Sequence, residues 1–290
     1  MTIVGNSMYA MGDSGSDFRV AVLDRSCALQ RWLTVPVEPY DVEDLAAADG
    51  SLWLADTGDN RRSRDTVALT RMDPNAGAGE LHRLTYPDGA HDAETLLIEP
   101  GGRPVIVTKE MFGPSGIYTP AEAQTVGALP SPGPSPLVKR GVFRAATTGD
   151  TGPSLSTLVT GGAVSADGRA AAIRTYTDVY LYPVHDGDVV AALTSAQPTV
   201  VPIRQPQGES IAFTADGDLL AGSEAGSAPG AQPSPLQILR GAVASVAPVE
   251  NETVDTDRQR WFGVVVIVVI GAAVLLGRRA GRTRGLRFRR

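Results

Sequence analysis

Short apolar runs that alternate with polar positions recur along most of the chain. Four stretches share one layout, in which a strand, a tight turn, a second apolar strand and a polar cluster follow one another, and they begin at Glu43, Glu94, Gly162 and Glu209. Three of the turns hold Asp-Gly pairs, at residues 49–50, 167–168 and 216–217. This dipeptide suits hairpin turns whose central residues have positive φ. The pattern therefore predicts repeated antiparallel hairpins.

A third strand follows each hairpin, and a fifth copy of the unit stands at the start of the chain. The copies begin roughly 45 to 70 residues apart, which is typical of a four-stranded propeller blade with loop insertions. We predict an all-β fold, a five-bladed β-propeller over residues 1–246, with six blades as the alternative. The first strand of the first copy is reduced to residues 1–4, so we expect the first blade to be truncated at the N-terminus.

A membrane-spanning helix is predicted at residues 261–277. These 17 residues carry no charge, begin with Trp and Phe, and are followed by seven arginines within residues 278–290. An apolar run of this length is at the short end of a spanning helix, and arginine-rich flanks stay in the cytoplasm. We therefore expect a single-pass protein of the cell membrane with a cytoplasmic basic tail at 278–290. Residues 247–260 form a polar stalk, and the propeller lies outside the cytoplasm.

The charge of the chain is divided unevenly. Residues 1–260 carry 19 basic and 32 acidic side chains. A domain this acidic repels nucleic acid and attracts cations or basic partners. Composition thus argues against a nucleic-acid partner and leaves a cell-surface protein or a small ligand.

Polar residues at equivalent places in the repeats predict one site at a mouth of the channel. The first strands begin with carboxylates at Glu43, Asp44, Glu94 and Glu209, and the second strands end at Asp13, Asp56, Lys109, Arg174 and Glu224. Oxygen ligands without clustered histidines favour Ca²⁺, so the first set is a candidate calcium site. The second set is a candidate ligand site, in which the lysine and arginine would hold a small anion. The alternative is that these groups hydrogen-bond neighbouring blades.

A set of short motifs accompanies the repeats, namely GDSG from Gly12, DTGDN from Asp56, HDAE from His91, VTKE from Val107, RTY from Arg174, QGES from Gln207 and GSE from Gly222. As a set they resemble a family of secreted or membrane-anchored bacterial β-propeller proteins, distantly similar to esterase-like phytase propellers. The resemblance covers most of residues 6–225. One copy departs from the family pattern, because Thr160–Gly161–Gly162 stands where a Thr-Asp-Gly triplet is usual. That change removes one carboxylate from any ring-shaped metal site.

Two functions follow from these features. The first is a membrane-anchored binding or scaffold module of the cell surface. The second is a Ca²⁺-dependent hydrolase of phosphate esters or lactones, with its site at the acidic mouth of the channel. A propeller fold alone does not choose between them.

The predicted topology can be checked by labelling. A cysteine introduced at Thr256, in the stalk, should react with a membrane-impermeant thiol reagent in intact cells because the stalk lies outside. The cysteine is introduced into a Cys27→Ser chain, and the Cys27→Ser chain alone serves as the control, because Cys27 could react with the same reagent. Protection of this cysteine, with labelling of one placed in the arginine tail instead, would reverse the predicted orientation.

Overall fold

The computed structural model describes residues 1–12, 17–146, 156–224 and 234–246. These residues contain nineteen strands and two short α-helices, α1 (Val189–Ser195) and α2 (Ala242–Val246). The all-β prediction is confirmed. The segments 247–260, 261–277 and 278–290, predicted as stalk, membrane helix and tail, lie outside the described residues. Within the described ranges, no helix has the length and apolar character needed to cross a bilayer.

The strands form five successive antiparallel units. Unit 1 comprises β1 (Thr2–Val4), β2 (Ser7–Ala10), β3 (Arg19–Leu23) and β4 (Leu29–Thr34). Unit 2 comprises β5 (Val42–Ala48), β6 (Ser51–Asp56), β7 (Val67–Met72) and β8 (Gly79–Thr85). Unit 3 comprises β9 (Ala93–Ile98), β10 (Pro104–Thr108), β11 (Ser115–Pro120) and β12 (Ser135–Phe143). Unit 4 comprises β13 (Val159–Val164), β14 (Ala170–Thr175), β15 (Asp178–Pro183) and β16 (Thr199–Pro202). Unit 5 comprises β17 (Gln207–Phe213), β18 (Leu219–Glu224) and β19 (Gln237–Leu239).

Each unit is a simple meander, with every strand paired to the next along the chain. Units 2 and 3 are also joined at their outer strands, because β12 pairs in parallel with β8 over Ser135 and Pro136. The first strands of the units lie side by side in chain order, since β5 contacts β9, β9 contacts β13 and β13 contacts β17. Strand β1 contacts both β5 and β17. The result is a nearly closed, β-propeller-like arrangement of sheets.

The hydrophobic core consists of layers between successive units. On β6, Leu52 and Leu54 pack with unit 1, whereas Trp53 and Ala55 pack with unit 3. Alternate residues of one strand thus face opposite neighbours, and both faces are buried. Similar layers separate units 3 and 4 and units 4 and 5. This arrangement explains why the second strands are continuous apolar runs.

The sequence predicted positive φ at both residues of each Asp-Gly turn, and the structure shows this in one of the three turns. At Asp49 and Gly50 both residues have positive φ, but in the other two turns only Gly168 and Gly217 do. Those two loops have five residues between their strands instead of two, and longer hairpin loops are built around a turn that needs one left-handed residue instead of two. Residues 1–4, expected as the remnant of a first strand, include β1, which pairs with β2.

Buried polar side chains connect the first strands of different units. Asp44 on β5 accepts hydrogen bonds from the backbone N–H of Leu45 and of Leu96 on β9, both at 2.8 Å. Thr160 on β13 donates its hydroxyl to the carbonyl oxygen of Gly208 on β17 at 2.8 Å. Because buried polar groups left without partners are costly, these contacts fix how neighbouring units approach one another.

The role of Asp44 yields a stability prediction. Asp44→Asn replaces one accepting oxygen with an NH₂ group, so one backbone N–H loses its partner. The free energy of unfolding should fall by about 1–3 kcal/mol, measured by urea denaturation.

The matched control is Asp49→Asn, the same chemical change at an exposed turn residue whose positive φ suits asparagine. It should stay within about 0.5 kcal/mol of the parent. Equal stability of the two variants would show that Asp44 does not join the units.

Candidate functional site

A cavity of about 760 Å³ lies where the first strands of the units begin. All five units contribute to its lining, through residues such as Met8, Glu43, Glu94, Thr160 and Glu209. Six of the residues predicted from the sequence line it, namely Glu43, Asp44, Glu94, Lys109, Glu209 and Glu224. The starts of first strands and the ends of second strands meet here because both lie at the same end of each hairpin.

Glu94, Lys109 and Tyr176 form a connected group on one side of the cavity. The Lys109 Nζ donates to a carboxylate oxygen of Glu94 and to the Tyr176 hydroxyl, at 3.1 Å. The ammonium also lies 5.2 Å from the centre of the Tyr176 ring. Pairing of β9 with β10 brings the first two residues together, and Tyr176 follows β14 of the next unit. The group therefore bridges units 3 and 4.

Burial sets the electrostatics of this group. It raises the pKa of the Glu94 carboxyl, an effect that Lys109 opposes and Glu209 increases. Burial also acts to lower the pKa of Lys109, but the Glu94 carboxylate and two hydrogen bonds outweigh it, so this pKa is raised overall. The ammonium of Lys109 is therefore held firmly in its charged form beside Glu94.

Glu209 and Glu224 are held by one amide. Gln207 Nε2 donates to Glu224 Oε2 at 2.6 Å and to Glu209 Oε1 at 3.1 Å. Pairing of β17 with β18 places Gln207 opposite Glu224. The amide thus keeps two carboxylates on the same side of the cavity.

The Glu43 carboxylate lies close to the backbone of Gly58. A Cβ atom at Gly58 would lie 2.5 Å from Glu43 Oε1 and 2.5 Å from Asp41 Oδ2. Gly58, the central residue of the DTGDN motif, leaves room for both carboxylates in the positions they occupy. The glycine of that motif therefore has a packing role at the edge of the cavity.

Two predicted site residues, Asp56 and Arg174, do not line the cavity. Asp56 accepts hydrogen bonds from the backbone N–H groups of Tyr40 and Asp41 at 3.1 and 3.0 Å, and it pairs with Arg64 at 2.9 Å. It is a buried structural residue and does not line the cavity. The ninth predicted residue, Asp13, lies outside the described residues.

Arg174 is fully buried behind the cavity wall. Its Nη2 donates to Gln205 Oε1 at 3.0 Å, whereas Nε and Nη1 have no hydrogen-bond partner among the described residues. Burial lowers the pKa of Arg174 to about 10, although Glu209 and Asp178 oppose that shift. A Cβ at Gly208 would lie 1.8 Å from Nη2. The guanidinium occupies the space that a side chain at position 208 would need, so it is not presented to a ligand.

The carboxylates do not form a calcium site in the described structure. Among the described residues, no group of three or more His, Cys, Asp or Glu side chains is arranged to hold a metal ion. Both oxygens of Asp44 accept backbone N–H groups, and Glu94 is paired with Lys109. The departure at Gly161 has a steric reason, because a Cβ there would lie 2.5 Å from the carbonyl oxygen of Glu209. An aspartate at this position would not fit without a shift of unit 5.

Tyr176 and Gln207 are lining residues that the sequence reasoning did not single out. Tyr176 comes directly after the second strand of unit 4, and Gln207 lies two residues before Glu209 on the same strand. Both positions belong to the polar clusters that mark the repeats. Their place in the RTY and QGES motifs was the available signal.

No protein-family model matches this sequence, and no curated protein sequence matches it. Among solved structures, the chain is similar to a periplasmic gluconolactonase of Pseudomonas aeruginosa, with 14% identity, a TM-score of 0.46, and coverage of 80% of this chain and 67% of that one. It is also similar to a protein assigned as a 6-phosphogluconolactonase in Bacteroides uniformis, with 13% identity, a TM-score of 0.47, and coverage of 81% and 68%. At such low values the similarities carry no argument about reaction or ligand.

The packing of Arg174 on Gly208 yields a testable consequence. Gly208→Ala should lower the free energy of unfolding by about 1–3 kcal/mol, because the new methyl group overlaps the fully buried Arg174 guanidinium. In an Arg174→Ala background the same change should cost much less, since the guanidinium is gone. A double-mutant cycle with thermal and urea unfolding measures this coupling.

Gly101→Ala is the matched control, because a Cβ at that position meets no atom within 4 Å. If Gly208→Ala and Gly101→Ala changed stability equally, the proposed overlap would be absent.

Proposed function

We propose that the chain is a five-bladed β-propeller that binds a small organic cation in the cavity at one end of its channel. The observation that carries the proposal is the charge of the lining. Five acidic side chains and one basic side chain face the cavity among the described residues. The single basic side chain, that of Lys109, is already paired with Glu94. The other basic group of the described lining, the N-terminal amine of Met1, interacts with Asp44.

A cleft lined by charges of one sign focuses its electric field and raises the local concentration of counter-ions. Ammonium and guanidinium groups donate short, charge-assisted hydrogen bonds to carboxylates. A small anion is disfavoured for the same reason, because Lys109 is engaged and Arg174 is buried behind the wall. The lining therefore supports a cationic ligand over the anionic one expected from the sequence.

The five-bladed arrangement is supported by the order of the units. Five units follow one another, their first strands contact in sequence, and β1 contacts β17 as well as β5. In a propeller the first strands line the central channel, and ligand sites form at its mouths. The cavity has the position that such a site requires.

The cellular setting belongs to the same proposal. An apolar segment at 261–277 followed by seven arginines would hold the propeller at the outer side of the cell membrane. There the domain would act as a binding module for ligands outside the cell. An extracytoplasmic cavity of negative charge would meet cationic solutes directly.

Hydrolysis of lactones is a second candidate, favoured by the group of Glu94, Lys109 and Tyr176. A carboxyl with a raised pKa beside a lysine and a tyrosine, in a cavity of about 760 Å³, is an arrangement often found at catalytic sites. Glu94 would act as the general base toward water, and Lys109 with Tyr176 would stabilise the oxyanion. Phosphate esters fit less well, because their charge is repelled by the lining.

The two candidates are separated by one set of measurements. Calorimetric titration with spermidine should give binding that weakens with added salt, whereas inorganic phosphate and gluconate should not bind. Glu209→Gln should weaken spermidine binding about fivefold or more, which corresponds to roughly 1 kcal/mol. In parallel, glucono-δ-lactone is assayed for hydrolysis by the parent and by Lys109→Met.

Glu122→Gln, the same change at an exposed residue away from the cavity, is the control and should leave binding unaltered. Preference for the anions, or equal effects of the two substitutions, would overturn the cation proposal. Lactone hydrolysis that is lost in a folded Lys109→Met variant would establish the second candidate instead.

A further inference from the structure

The cavity has two chemically different walls. Units 2 to 5 supply all of the charged side chains of the described lining, which are Glu43, Asp44, Glu94, Lys109, Glu209 and Glu224. Unit 1 supplies Met8, Ala10, Met11, Leu23 and Cys27, and none of its described lining residues has a charged side chain. Leu236, from the segment just before β19, extends this apolar side. One side of a bound molecule would therefore meet carboxylates, and the other would meet hydrocarbon and thioether groups.

The apolar wall is built into the fold of unit 1. Met8 lies on β2 opposite Leu23 of β3, and Met8 is 7% exposed. Met11 packs against the core shared by units 1 and 2. Methionine side chains are flexible and polarizable, and they fill irregular gaps beside apolar ligands. The wall is therefore suited to hydrocarbon of variable shape.

Ligand sites commonly combine apolar walls with a few polar groups that fix orientation, in cavities of roughly 300–1,000 Å³. The volume of about 760 Å³ lies within that range. A spermidine-like polycation would satisfy the acidic wall but would leave the wall of unit 1 without an apolar partner. An amine that carries a hydrocarbon body would satisfy both.

We infer that the ligand class is an amphipathic amine, whose ammonium group lies against the carboxylates of units 2 to 5 and whose hydrocarbon body lies against Met8, Met11 and Leu236. This inference rests on the proposed cation binding and adds the chemistry of the rest of the ligand. Affinity then comes from two separable sources, charge at one wall and burial of hydrocarbon at the other.

The experiment uses n-butylamine, n-hexylamine and n-octylamine as probes, titrated calorimetrically into the full chain. Burial of each added methylene should tighten the dissociation constant about fourfold. Glu209→Gln should weaken all three amines by the same factor, because each presents the same ammonium group. Met8→Gln should instead reduce the gain per methylene, because it makes the hydrocarbon wall polar.

Met111→Gln is the matched control for Met8→Gln, since Met111 is 60% exposed and does not line this cavity. It should leave the gain per methylene unchanged. If the amines bind with equal affinity regardless of chain length, the inference fails while cation binding stands. If none binds, both fail. A gain per methylene that Met8→Gln and Met111→Gln lower equally would also overturn the assignment of the apolar wall.

Discussion

The close approach of the first strands around one axis is the constraint on which the rest of the structure depends. Where five strands meet, no backbone or side-chain polar group has access to bulk water unless a cavity reaches it. Asp44 satisfies this requirement by accepting backbone N–H groups of its own strand and of unit 3. Thr160 does so by donating to unit 5. Gly161 leaves room for the backbone of Glu209 on unit 5, and Gly208 leaves room for the Arg174 guanidinium.

The chemistry of the cavity follows from the same constraint. Carboxylates that begin successive first strands are brought close together, and burial raises the pKa of Glu94. The structure compensates with Lys109 at Glu94 and with the Gln207 amide at Glu209 and Glu224. Five acidic side chains and one basic side chain line the cavity among the described residues, and this imbalance is the basis of the proposed cation binding.

Two of the polar residues predicted for the site, Asp56 and Arg174, are buried structural residues and do not line the cavity. Asp56 is used to hold the segment before unit 2, and Arg174 fills the space beside Gly208. Both lie at the ends of second strands, as Lys109 and Glu224 do, but their hydrogen-bond partners lie in the segments that connect successive units. The same sequence position in a repeat thus becomes a lining residue or a buried one according to the side chains opposite. The alternative considered from the sequence, that such groups hydrogen-bond neighbouring blades, holds for Asp44, whereas Asp56 and Arg174 bond the segments that connect successive units.

The sequence by itself determined the all-β class, the repeated hairpins and the end of each hairpin where polar side chains gather. These features depend on alternation of apolar residues and on turn residues, which act over a few positions of the chain. Tertiary structure alone decided which polar residues face the cavity, because that depends on contacts between residues far apart in the chain, such as Lys109 with Tyr176. It also decided against a calcium cluster among the described residues, since sequence spacing cannot show that a carboxylate is already taken by a lysine or a backbone N–H. The apolar wall of unit 1 could not be predicted from the sequence either. Apolar residues of a strand have the same pattern whether they face the core or a cavity, and only the packing of neighbouring units decides which.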